Sequence, residues 1–271
     1  MRPGLAEGVT ALVLAGQRRG TDPMAAAAGL SHKALLPVAG VPMLLRVVAA
    51  LRGSPGIGRI VVSVEASGTT LRGLEGLDGV ILREAAPSPA RSAAAAFGEF
   101  GAPMLVTTAD HALLTPAMVG HFLAAAPAGA AAIAGLARRE TVLGEFPGTR
   151  RTWLRFRDGD FSGCNLFLLA TPEAAGALRF WQDLEGRRKR PLAMAWMIGP
   201  ATLLRHALGR LTLRGALDAL EVRCGARLAT VDMPFGAAAV DVDKPEDLRL
   251  VEERLRGEPA GLEGSAPSLT S

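Results

Sequence analysis

The run Val9 to Ala15 is apolar and stops abruptly at Gly16-Gln17-Arg18-Arg19-Gly20. It is too short for a membrane span and reads as a strand buried on both faces, the signature of a strand in a parallel sheet. Similar strand runs follow at Arg59–Glu65, Gly79–Leu82 and Met104–Thr108. Helical patterns fill the intervals at Pro42–Leu51, Pro89–Phe100 and Pro116–Ala126, with proline near the first turn. The order β-α-β-β-α-β-α predicts a three-layer α/β/α, Rossmann-like fold whose central sheet is mainly parallel.

Ala131–Arg138 continues the pattern as a further strand, and Thr141–Asp160 reads as a loop region holding one strand at Thr152–Phe156. Asn165–Ala170 is another buried strand. From Pro172 to Gly225 the chain turns almost wholly helical, with interruptions at Gly186, Gly199-Pro200 and Gly209, and this is a helical insertion in the α/β frame. The sheet is expected to resume at Ala226–Met233 and Ala237–Val242, and Lys244–Arg256 to close the fold as a helix. Residues 9–256 thus read as one domain, and Gly257–Ser271, rich in Gly, Ser and Pro, as a disordered tail.

Composition narrows the class of function. A chain of 271 residues with 49% hydrophobic and 21% charged residues can build a sizeable core. Its formal charge of +4 suits an anionic small substrate, and the lack of aromatic interleaving sets nucleic acid aside. Cys164 and Cys224 form neither a metal-ligand spacing nor a disulfide framework, so a reducing cytoplasm is the expected setting. Met1–Gly8 has no apolar signal-peptide core, and no uninterrupted apolar stretch is long enough for a bilayer.

The chemistry-bearing residues fall into a few groups. A glycine and basic loop after a buried strand, with a lone lysine at Lys33, is what a triphosphate needs: glycine lets backbone N–H groups approach, and the cations neutralise charge. It is neither a Walker loop nor Gly-x-Gly-x-x-Gly. Asp110 stands just past the Met104–Thr108 strand, where open α/β sheets bind ligands, and is a natural oxygen ligand for Mg²⁺. It could equally be an ordinary turn aspartate. His111 beside it reads as a satisfied or exposed histidine.

On a strand, Asp241 and Asp243 would point to the same side and both face a metal. Asp243 with Glu246 and Pro245 is also a helix-start signal, so capping and metal binding compete for it. Arg187-Arg188-Lys189-Arg190 precedes the apolar, Trp-bearing segment 191–198. This is a solvated turn beside a core or dimer helix, or a peripheral contact with an anionic membrane surface.

Leu14-Ala15-Gly16-Gln17-Arg18-Arg19, followed by Lys33-Ala34-Leu35-Leu36-Pro37-Val38-Ala39-Gly40-Val41-Pro42-Met43, resembles the GT-A-like, MobA-like nucleotidyltransferase superfamily. Asp110 within Ala109-Asp110-His111-Ala112-Leu113-Leu114-Thr115-Pro116 resembles its metal-aspartate segment, and Asp241-Val242-Asp243-Lys244-Pro245-Glu246-Asp247-Leu248 its closing segment. The resemblance implies a Mg²⁺-dependent enzyme that joins an NTP to a phosphorylated small molecule and expels pyrophosphate. Leu14, Ala15, Gly16 and Gln17 would lie along the nucleotide. Arg19 and Lys33 would hold its phosphates, with Arg18 the alternative to Arg19 because the loop is one residue shorter than the common form. Asp110 and Asp243 would hold the metal, Asp241 being the reserve.

The loop Ala85–Ser92 would meet the base through Pro87, Ser88 and Ser92. The last matches a serine of methylerythritol-phosphate cytidylyltransferase-like proteins and favours CTP. Gly163 and Asn165, in Ser162-Gly163-Cys164-Asn165, match the segment that touches the acceptor. Rival readings are a molybdopterin guanylyl- or cytidylyltransferase, a non-catalytic nucleotide-binding protein of the same fold, and a glycosyltransferase using a nucleotide-sugar. Thr21–Ser31 is a longer insertion than most members carry, suited to a lid or small helix.

Overall fold

A computed structural model describes residues 8–17, 20, 22–71, 73–187 and 199–257. Alternation along the first strand sets the layers. In β1 (Val9–Leu14), Val9, Ala11 and Val13 pack into one core cluster, while Leu12 packs into a second on the opposite face. A strand whose successive residues are all buried needs helices on both sides.

The described residues place β1, β4 (Ile57–Val64), β5 (Ile81–Glu84), β6 (Met104–Thr108), β7 (Ala132–Arg138), β8 (Leu154–Phe156), β9 (Gly159–Leu169) and β10 (Leu228–Asp232) in one eight-stranded sheet. Its order is β10-β7-β9-β6-β1-β4-β5, with β8 paired to β9. The strands β2 (Pro37–Val38) and β3 (Val41–Pro42) form a separate antiparallel pair. The pairings β1–β4, β1–β6, β4–β5 and β7–β10 are parallel, whereas β9 runs antiparallel to β6, β7 and β8. The sheet is mixed and mostly parallel.

Helices α1 (Pro23–Ala27), α2 (Met43–Arg52) and α3 (Ser67–Thr70) precede α4 (Pro89–Phe100), α5 (Pro116–Ala125) and α6 (Arg139–Glu145). The C-terminal half holds α7 (Ala175–Arg187), α8 (Pro200–Ala207), α9 (Leu213–Cys224) and α10 (Pro245–Arg256). Buried residues of α2, α5, α6 and α10 join the cluster of Val9, Ala11 and Val13. On the other face α4 lays Ala93, Ala96 and Phe97 beside Leu12, together with Leu178 of α7. Small side chains on α4 let it sit close against the strands.

One expected strand does not form. Gly236–Ala239 is a 3₁₀ turn, and the chain continues to Asp243 outside any strand. Four small residues offer no β-branched surface to a sheet, and Gly236 lies where a side chain would run into the Thr141 carbonyl oxygen at 2.8 Å. Its N–H donates instead to Glu145 Oε1 at 2.6 Å. The segment after Gly20, expected to carry a lid or small helix, contains α1, which Asp22 caps by accepting from the N–H groups of Met24 and Ala25.

Gly186 does not interrupt helix α7, which runs on to Arg187. Residues 188–198, which carry most of the expected membrane-contact segment, lie outside the described residues, as does the tail from 258 onward. Among the described residues, no helix is long and apolar enough to cross a membrane.

Helix α7 meets the end of α9 at Gly176, where an added Cβ would overlap the carbonyl oxygen of Cys224. In an exposed helix, Gly→Ala stabilises by up to about 1 kcal/mol. Here the sign reverses: Gly176→Ala is expected to destabilise by about 1–3 kcal/mol, read as a lower urea midpoint with an unchanged slope.

Candidate active site

Strand β1 lies between β4 and β6, both parallel to it, and the chain visits β4 and β5 on one side before returning to β6 on the other. Such a reversal opens a crevice at the carboxyl ends of the strands. Backbone bonds tie those ends together: Ala15 N–H to the Ser63 carbonyl at 2.9 Å, Ala109 N–H to Leu14 at 3.0 Å and Ala85 N–H to Val64 at 3.1 Å. Leu14 to Gln17, Glu65, Ala85–Ser88 and Asp110 therefore converge on one rim.

Lys33 reaches this rim from a 3₁₀ turn, Lys33–Leu35. The turn leads into the β2–β3 hairpin, whose tip, Ala39 and Gly40, has φ of 48° and 78°. Two successive positive φ values define a tight turn of the type that suits right-twisted hairpins. Met43 N–H then bonds the Leu36 carbonyl at 3.0 Å, and Arg46 Nε bonds that of Val38 at 2.9 Å. The segment that looked like a sequence signature is thus a rigid mount for one lysine.

The Lys33 ammonium donates to Asp110 Oδ2 at 3.1 Å and to Asp243 Oδ1 at 2.6 Å. Burial works against this charge, yet Asp110 and Asp243 outweigh it and hold the Lys33 pKa above the usual lysine value. Asp110 Oδ1 is buried with no hydrogen-bond partner among the described residues. Val242 N–H bonds the Asp110 carbonyl at 3.0 Å, which fixes the two acidic segments side by side without a strand pairing.

Asp241 and Asp243 do not face one target. The Asp241 carboxylate accepts from Arg151 Nη1 and, at 3.2 Å, from Asn165 Nδ2. Arg151, its side chain only 8% exposed, also donates to the Asp241 carbonyl at 3.2 Å and to Asp247 Oδ1 at 2.9 Å. Burial raises the Asp241 pKa; Arg151 opposes this, while Asp243 and Asp110 add to it.

Competition between capping and metal binding at Asp243 is resolved by Asp247. Its Oδ2 accepts the backbone N–H groups of Asp243 at 3.1 Å and Lys244 at 3.0 Å, so Lys244 is the N-cap of α10 and the Asp243 carboxylate is left for Lys33. This corrects the reading of Asp243 with Glu246 as the helix-start pair.

Two residues that shape the site escape the sequence reading. Arg151 is one, and Glu65 is the other. Glu65 stands at the end of β4, and its Oε2 accepts the Gln17 N–H at 3.0 Å, while a side chain on Gly16 would meet its Oε1 at 2.9 Å. The buried His32 ring lies 3.8 Å from it. The rule that singles out Asp110, a carboxylate just past a buried parallel strand, applies equally to Glu65. Arg18 and Arg19 lie outside the described residues.

In the Ala85–Ser92 loop, Ser88 caps α4 by accepting from Arg91 N–H, and Pro87 is exposed. Ser92 is buried, and its hydroxyl accepts the Ala86 N–H at 2.9 Å, bracing the loop from below. Gly163 lines a cavity of about 730 Å³ that also touches Arg150, Ser162, Asp241, Asp243 and Lys244. Asn165, with φ of 47°, turns its amide to Asp241. Because Asp243 borders the cavity and bonds Lys33, the cavity opens onto the ion-pair cluster.

The donor set suits a hard divalent cation. Two carboxylates, one with a buried oxygen that has no partner among the described residues, match an ion that takes oxygen ligands. Among the described residues, no group of three or more His, Cys, Asp or Glu side chains could hold a metal alone.

A sheet reversal, a lysine between two carboxylates and an adjoining polar cavity are what a nucleotidyl-transfer site requires. The MobA-like NTP transferase domain matches residues 11–223, and the chain belongs to that family, whose chemistry is nucleotidyl transfer. A hypothetical transferase from Thermus thermophilus is 32% identical over 89% of this chain and 99% of that one, with a TM-score of 0.78. The fold is shared with CMP:2-keto-3-deoxy-manno-octonic acid synthetase solved with CTP, at 15% identity, 92% and 99% coverage and a TM-score of 0.55. It is shared too with a Mycobacterium tuberculosis H37Rv protein solved with manganese, at 16% identity, 91% and 98% coverage and a TM-score of 0.50. No curated protein matches the chain.

Two outcomes follow from the site's buried charges. Arg151→Met strips the partner from the Asp241 carboxylate and should cost about 3 kcal/mol of unfolding free energy, part of it recovered in the Arg151→Met/Asp241→Asn double variant. His111 is buried, and burial lowers its pKa from 6.5 to about 4, against the pull of Asp110 and the Ala237 backbone. The folded state keeps this ring neutral where the unfolded chain protonates it. Stability is therefore full above pH 6.5 and is lost as pH falls toward 4, by up to about 3 kcal/mol. In His111→Gln that slope should flatten in urea titrations across the window.

Proposed function

We propose that the protein transfers a nucleotidyl group from an NTP, with CTP favoured, to a phosphorylated small molecule, using Mg²⁺ and releasing pyrophosphate. The observation that carries this reading is the Lys33 ammonium bridging Asp110 and Asp243 at the mouth of the cavity.

The charges orient the donor. Glu65 already accepts the Gln17 N–H, so a phosphate there would meet a carboxylate. Phosphates belong at the Lys33 end, with Arg18 or Arg19 as the expected second cation, while ribose and base lie toward Glu65 and the Ala85–Ser92 loop. That loop's likeness to cytidylyltransferase loops favours CTP, and Ser92 serves it by holding Ala86 in place.

Asp110 and Asp243 would hold Mg²⁺, which when bound would offset the charge gathering on the reacting phosphates. The acceptor enters the cavity beside Gly163 and Ser162, where Arg150 and Lys244 supply positive charge. An oxygen of its phosphate bonds the α-phosphorus, the bond from that phosphorus to the bridging oxygen of the β-phosphate breaks, and pyrophosphate leaves. An acceptor phosphate is already ionised at neutral pH, so no general base is needed. The neutral, buried His111 takes no proton in this scheme.

The test is pyrophosphate release from each of the four NTPs against a panel of phosphorylated alcohols, sugars and cofactor precursors with Mg²⁺. One productive pair is expected, with CTP as donor, and Asp110→Asn should lower its kcat by about 10²-fold or more. Pyrophosphate release unchanged in Asp110→Asn would remove the assignment.

A further inference from the structure

Two carboxylates suited to a divalent cation already share a cation that the chain itself supplies. The side chain of Lys33 is only 17% exposed, and its ammonium contacts both Asp110 and Asp243. No third acid joins them to hold a metal among the described residues. A metal ion arriving alone must therefore bind against a tethered ammonium held by both carboxylates or displace it, with nowhere equally favourable for that ammonium to go. The turn at Lys33–Leu35 is firmly mounted, but the lysine stem is long and flexible, so the charge can move while the backbone stays.

Resting on the nucleotidyl-transfer reading above, we propose that Lys33 is an exchangeable internal cation. It keeps the Asp110–Asp243 pair closed to metal alone and is drawn onto the triphosphate when nucleotide arrives, so metal and nucleotide load as a unit. The triphosphate provides what a free metal lacks, namely anionic oxygens for the released ammonium as well as extra ligands for the metal. A ligand shifts such an equilibrium only through its differential affinity, and here the difference is the new partner for Lys33. Linkage makes the effect mutual: nucleotide tightens metal binding by the factor by which metal tightens nucleotide binding.

This assigns Lys33 two opposed effects that a simple phosphate ligand would not have. Removing its charge weakens the grip on nucleotide but frees the carboxylates, so metal alone should bind more tightly.

The experiment is Mn²⁺ binding by the full chain, followed by the paramagnetic resonance signal of free Mn²⁺, with and without CTP and without acceptor. Wild type is expected to bind Mn²⁺ weakly alone and at least about tenfold more tightly with CTP. Lys33→Met should bind Mn²⁺ alone at least about tenfold more tightly than wild type and show little further gain with CTP. Lys33→Arg, which keeps the charge, should stay near wild type for Mn²⁺ alone. Thermal unfolding gives a second readout: Mn²⁺ should raise the Tm of Lys33→Met more than that of wild type, because the variant's two carboxylates repel each other until the ion enters.

Mn²⁺ affinity in Lys33→Met equal to or below that of wild type would overturn the proposal, as would wild-type Mn²⁺ binding indifferent to CTP. Pyrophosphate release by wild type, assayed alongside, reports separately on the nucleotidyl-transfer reading. Turnover with Lys33→Met binding Mn²⁺ no more tightly sinks the exchange alone.

Discussion

One ammonium group organises this site. Lys33 spans 77 residues of sequence to Asp110 and 210 to Asp243, joining the amino-terminal hairpin, the sheet centre and the last helix at one point. Such a contact survives only if each partner is held independently. The hairpin holds Lys33, the carboxyl end of β6 holds Asp110, and Asp247 holds the backbone of Asp243. The Val242–Asp110 backbone bond then locks the two acidic segments together. Lys33 and Asp110 are largely buried, where desolvation offsets much of the gain from pairing, so the worth of this cluster lies in placing charge rather than in holding the fold.

Much of this was legible in the sequence. The unbroken apolar strand ending at Gly16, the proline-started helices α4 and α5 and the position of Asp110 are local patterns, and local patterns follow from propensity and periodicity. What stayed hidden depends on long-range partners. Arg150 and Arg151 are adjacent and chemically identical, yet Arg150 is exposed and Arg151 is buried with Asp241 and Asp247. Nothing in the pair itself selects one for burial. Asp247 likewise displaces Asp243 from the capping role because of where Arg151 places it.

The misread strand at 237–242 has the same root. Two aspartates spaced by one residue share a side only if the backbone is extended and paired. Gly236 to Ala239 instead fill a tight space against α6, and the turn they form sends Asp241 and Asp243 to different partners. Division of labour between the two follows from that turn: one carboxylate is spent on structure, and the other is left at the rim.

Charge is also divided along the crevice. Glu65 places a carboxylate against the loop after β1, while Lys33 places an ammonium at the end of the crevice next to Asp110. A nucleotide is itself polar in this sense, with anions at one end and hydrogen-bond donors on its ribose and base at the other. A crevice carrying the opposite polarity aligns it in one direction before any base is read. In the proposed reading, donor orientation rests on the frame of the sheet, on β1, β4 and β6, whereas the cavity assigned to the acceptor is built from the segments around 148–154, 162–163 and 239–250. These lie on β8, β9, the turns beside them and the start of α10, so in that reading the acceptor side can change shape while β1 and β4 stay in place.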